Sequence, residues 1–61
     1  MWTWLIQLNI EGRWRDQVEV HGDRLEAIHA ATMWQHAYAS HNGERAAVRV
    51  LRNNIVVEEY D

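Results

Sequence analysis

The chain has 61 residues, no cysteine, six arginines without any lysine, nine acidic residues and a formal charge of −3. This composition excludes a disulfide-stapled scaffold and a thiolate zinc site. It also argues against a general binder of phosphate backbones, which concentrates positive charge. A single domain spanning 1–61 is expected, near the lower size limit for folding alone, with four tryptophans as its main source of buried area and self-association as further support.

In the first eleven residues the even positions are Trp2, Trp4, Ile6, Leu8 and Ile10, with Thr3, Leu5, Gln7, Asn9 and Glu11 between them. A period of two marks a β-strand with one buried face, and its apolar weight predicts a central place in the sheet. The stretch has no basic leader and no run long enough to cross a bilayer, so a cytoplasmic location is expected.

After Gly12-Arg13, residues 14–21 alternate again, with Trp14, Val18 and Val20 on one face and Arg15, Gln17, Glu19 and His21 on the other. Two such runs around a glycine predict a hairpin. Directly opposed residues share a face, so a two-residue Gly12-Arg13 loop would set buried positions against exposed ones. The pattern therefore calls for an odd-length loop around 11–13, or a β-bulge further along.

Asp23 and Glu26 have the spacing of a capping box, and Asn42-Gly43 supplies left-handed residues that end a helix. A helix is predicted between them, from Arg24 to His41. Its core stripe at 100° per residue is Ala27, Ala30, Ala31, Trp34, Ala37 and Tyr38. Small residues there allow close approach to the sheet, with Trp2, Trp4 and Trp14 filling the space from the strand side.

Residues 46–52 read as a third strand and 55–60 as a fourth, joined by Asn53-Asn54, two residues that tolerate the positive φ of a type I′ turn. With a two-residue loop, Arg52 should face Ile55, Val50 should face Val57, and Val48 should face Glu59. The element order ββαββ predicts an α+β fold. It is a four-stranded antiparallel sheet of spatial order 2-1-3-4 with the helix on one face.

The other face is left uncovered. It is expected to carry Thr3, Leu5, Gln7, Asn9, Arg15, Gln17, Glu19, Ala47, Arg49, Leu51, Val56, Glu58 and Tyr60. Leu5, Leu51 and Val56, with Tyr60 beside them and Arg15 and Arg49 in the rim, make this face the first candidate interface, and a homodimer the first candidate assembly. A second candidate surface is the outer helix face, with Leu25, His29, Met33 and His36, where a methionine suits an adaptable contact.

Chemistry is harder to find. His29 and His36 are seven residues apart, about 10.5 Å along a helix, too far to share an ion. Ser40 follows His36 by one turn without an acid or an oxyanion hole to complete a nucleophile. Gly12, Gly22 and Gly43 each serve a turn or helix end, so no phosphate-cradling loop exists. No catalytic residue, metal or cofactor is expected. Nucleic-acid binding through an arginine-bearing sheet is the alternative, although RNA-binding sheets present several aromatics for stacking.

The leading Trp2-Thr3-Trp4 strand, the Gly12-Arg13-Trp14 turn, the capped helix with Ala27 and Ala31, and the short closing strands resemble small orphan proteins common in bacteriophage and prophage genomes. The resemblance implies an accessory protein that acts by binding. Such proteins include inhibitors of host enzymes and of antiviral defence systems, and minor structural components. It carries over no catalytic residues.

Overall fold

The computed structural model describes residues 2–61. Its elements are β1 (Trp2–Ile10), β2 (Arg13–Gly22), α1 (Arg24–Asn42), β3 (Val48–Arg52) and β4 (Ile55–Tyr60). They form one sheet of order β2-β1-β3-β4 with every neighbouring pair antiparallel, as the element order predicts.

The apolar face of β1 lies at the centre of the core. Trp4, Ile6 and Leu8 pack with Val48 and Val50 from β3 and with Ala27 and Ala31 from α1. Trp4 is 2% exposed, and its indole Nε1 donates to the Gly22 carbonyl at 2.9 Å. The ring therefore fills the space under an alanine-lined helix while its one polar atom is satisfied. Trp2, expected inside as well, is half exposed at the end of the sheet. It meets Trp4 edge to face at 5.9 Å and carries the Arg52 guanidinium over its ring at 3.8 Å.

The helix begins and ends as predicted. Asp23 accepts from the Glu26 amide at 2.9 Å, and Glu26 accepts from the Asp23 amide at 3.1 Å. Gly43, at φ 74°, closes the far end by donating to the Ala39 carbonyl. The buried stripe is turned from the predicted one. Ala27, Ala31 and Gln35 are buried, Ala30 and Tyr38 partly so, and Trp34 and Ala37 are exposed. The Gln35 amide donates to the Ala46 carbonyl at 2.8 Å, so this polar side chain ties the helix to the connection that leads into β3.

Both hairpins contain a bulge, which is one of the two outcomes expected of the first and a departure from the expected register of the second. The first turn is the two-residue Glu11-Gly12, with φ 55° and 81°, and it pairs Ile10 with Arg13. Parity is restored by an extra residue, Gln17, because Gln7 faces Asp16 while Ile6 faces Val18. Of the two solutions the alternation allowed, the chain uses the bulge. Trp14 consequently pairs with Asn9 on the open face, and Arg15 pairs with Leu8 on the helix side. Both placements reverse the sequence-based expectation.

The second hairpin turns through Asn53-Asn54, with φ 53° and 64°, as predicted. Val57 is then an extra residue, so Val50 faces Glu58 and Val48 faces Tyr60. Glu58 and Tyr60 thus lie on the helix side rather than on the open face. The third strand starts two residues later than expected, although the Asn9 amide still donates to the Ala47 carbonyl at 2.8 Å. No helix of the described residues is long and apolar enough to cross a membrane.

Candidate interaction surface

On the open face the register arranges side chains in rows across the strands. One row reads Glu19, Leu5, Leu51, Val56 from β2 to β4. The next reads Asp16, Gln7, Arg49, Glu59. Beyond them, Trp14 stands beside Asn9 at one end, and His21 beside Thr3 at the other. Four of the six residues assigned here from sequence, Leu5, Arg49, Leu51 and Val56, do share this face. Arg15 and Tyr60 do not, for the bulge reasons given above.

The apolar row is partly self-covered. Leu51 is 8% exposed and Leu5 is half-buried, whereas Val56 is 40% exposed. The second row is tied together. Arg49 Nε donates to Gln7 Oε1 at 2.7 Å, and Gln7 Nε2 donates to Asp16 Oδ1 at 2.7 Å. The Arg49 guanidinium lies 4.3 Å from the centre of the Trp14 ring. Sequence reasoning missed this cluster because it needs the Gln17 bulge to bring Trp14 onto the same face as Arg49.

The charge of the face follows from the register. Asp16, Glu19 and Glu59 supply three carboxylates, and Arg49 is the one guanidinium among these positions. The only ion pair among the described residues is elsewhere, between Arg24 and Glu58. There Arg24 Nε donates to the Glu58 carboxylate at 2.8 Å and Nη2 to the Val57 carbonyl at 3.0 Å. Tyr60 also donates to Glu58, at 2.8 Å. These two donors hold the Glu58 carboxyl below the ordinary glutamate range, the tyrosine hydrogen bond being the larger cause. The same bond raises the Tyr60 phenol.

The Arg24 contact also bears on how this sheet can associate. An unpaired strand edge invites another strand, and bulges or charged side chains block it. Here β2 carries the Gln17 bulge, while β4 carries the Val57 bulge with a guanidinium seated on its carbonyl. Both edges are thus interrupted by a bulge.

The outer helix presents Leu25, His29, Met33 and His36 to solvent, where the sequence placed them; Leu25 is 75% and Met33 59% exposed. A broad hollow of about 600 Å³ is lined by His29, Thr32, Met33, His36, Ala37, Ser40 and His41. All of these belong to α1, so the hollow has a single wall and encloses nothing. Among the described residues no group of three or more His, Asp or Glu side chains stands close enough to hold a metal ion. No family model, curated protein or solved structure matches this chain.

Proposed function

We propose that the chain is a non-enzymatic protein-binding module that works through its open sheet face. The observation that carries this reading is an uncovered sheet face whose apolar row, Leu5, Leu51 and Val56, crosses three strands beside the Trp14–Arg49–Gln7–Asp16 cluster. An apolar centre with aromatic and arginine neighbours and a charged rim is the make-up of a protein interface. Strand edges interrupted by bulges disfavour strand addition by a partner. The likeness to phage accessory proteins supplies a class of partner, a host enzyme or defence complex.

Nucleic acid fits this face less well. Three carboxylates oppose one guanidinium, and that guanidinium covers the one tryptophan available for stacking. A homodimer is the second reading, favoured by the short chain and its bare face, with the excess of like charge against it.

Affinity capture from the source cell tests the proposal, with wild type, Val56→Glu and Met33→Glu as parallel baits. Val56 is exposed on the sheet face and Met33 on the outer helix, so neither change should disturb the core. A partner retained by wild type and Met33→Glu but lost by Val56→Glu supports the sheet face. Loss with Met33→Glu alone assigns binding to the helix and overturns the proposal.

A further inference from the structure

At one end of the open face the sheet surface dips into a hollow of about 230 Å³, lined by Thr3, Leu5, Glu19, Leu51, Asn53 and Asn54. It is distinct from the cluster around Arg49, which lies one row further along β3. At its floor the half-buried Leu5 faces Leu51 across β1 and β3, and Leu51 is almost fully covered, so the apolar surface offered there is mainly that of Leu5. One wall is Glu19, which pairs with Leu5 from β2. The opposite wall is the Asn53-Asn54 turn, whose left-handed backbone folds it back at the end of β3. The Thr3 hydroxyl is already engaged with His21 Nδ1 at 3.1 Å.

Glu19 is exposed, and its carboxylate makes neither a hydrogen bond nor an ion pair among the described residues. The hollow thus offers a small apolar floor at Leu5, an unneutralised carboxylate and two amide side chains, without a cation of its own. Its volume is too small for a drug-sized ligand, which needs about 300 Å³ or more. It equals about eight water molecules at ~30 Å³ each, room for one arginine side chain with water beside it.

We propose that this hollow receives a single arginine side chain presented by a partner protein. The methylene stem would lie on Leu5 beside the covered Leu51, as long basic side chains do on apolar surface. The guanidinium would then meet Glu19 as a planar fork, with the carbonyl oxygens of Asn53 and Asn54 side chains as further acceptors. Arginine is also the charged residue most often found as an interface anchor. The net charge of −3 and the three carboxylates of the face draw a basic partner towards it and disfavour a second copy of the chain. This inference rests on the proposal that the open face binds protein, and it names the chemistry of the contact.

The test is a nitrogen–proton correlation titration with three short peptides, acetyl-Val-X-Val-amide, where X is arginine, lysine or norleucine. The arginine peptide should shift the amide signals of Leu5, Glu19, Leu51 and Asn54 in a saturable way, with lysine weaker and norleucine without effect. Glu19→Gln should weaken arginine-peptide binding about two- to fivefold while leaving the spectrum otherwise native, as expected for losing a solvent-exposed ion pair. Equal binding of the norleucine peptide overturns the inference. So does an unchanged affinity in Glu19→Gln, or an absence of shifts at about 10 mM peptide, a range that still detects millimolar contacts. The two proposals fail separately. If Val56→Glu abolishes partner capture but Glu19→Gln alters neither capture nor peptide binding, only the arginine site falls. If Val56→Glu leaves capture intact, the sheet-face reading itself falls.

Discussion

Replacing Trp4 by alanine tests the core most severely. The side chain is 2% exposed and sits among Ile6, Val50 and Ala27, with Trp2 against it. Deleting a buried aromatic of this size costs about 3–5 kcal/mol, because the transfer energy is lost and a cavity remains. The Nε1–Gly22 hydrogen bond is lost with it, worth about 1 kcal/mol on its own. At roughly 0.05–0.15 kcal/mol per residue, a chain of 61 residues has about 3–9 kcal/mol of total stability. Trp4→Ala should therefore remove between a third and all of it. Trp4→Phe keeps most of the volume and loses the indole donor, so it should cost about 1–2 kcal/mol. Urea denaturation followed by far-ultraviolet circular dichroism measures both without relying on tryptophan emission. A Trp4→Ala protein that unfolds cooperatively within about 1 kcal/mol of wild type would refute the assigned face of β1.

Other perturbations separate the surface from the core. Trp14→Ala should cost only about 1 kcal/mol, because the ring lies outside the core on the open face under the Arg49 guanidinium, and the same denaturation experiment measures it. Because the Glu58 carboxyl is held low, the stability it contributes is present above the ordinary glutamate value near 4.5 and lost as pH falls through its folded value. The raised Tyr60 phenol adds stability below the ordinary tyrosine value that is lost as pH rises through its folded value. Melting temperature against pH should lose both components in Glu58→Gln. Replacing His29 and His36 together by glutamine should leave stability unchanged, and zinc or copper should raise the melting temperature of neither protein. Titration with single-stranded RNA or duplex DNA should leave tryptophan fluorescence unchanged at physiological salt.

Much of the architecture is written in local patterns. The alternation of β1, the Asp23–Glu26 capping box, the Gly43 helix end and the Asn53-Asn54 turn each depend on neighbours a few residues away, and each is realised where the pattern places it. The composition of the open face was only half legible. A single inserted residue reverses the facing of the strand beyond it, so Gln17 exchanges Trp14 with Arg15, and Val57 moves Glu58 and Tyr60 to the helix side. Parity calls for either an odd-length loop around 11–13 or a bulge further along, and does not choose between them. For β4 no such signal existed, because Ile55-Val56-Val57 is apolar on either reading. Gln35 was illegible for another reason. A glutamine on a helix reads as solvated until the backbone carbonyl of Ala46 is brought within reach by tertiary packing.

The places of Trp14, Asp16 and Glu59 on the open face depend on those two bulges, and proton–proton nuclear Overhauser contacts of the Trp14 indole test the more consequential one directly. With Gln17 as the extra residue, the Trp14 ring should show contacts to the Arg49 side chain and none to the methyl groups of Ala27, Ala30 or Ala31 on the helix. Contacts from Trp14 to those helix methyls, without any to Arg49, would put the ring back in the core and remove the aromatic–arginine cluster on which the proposed binding face rests.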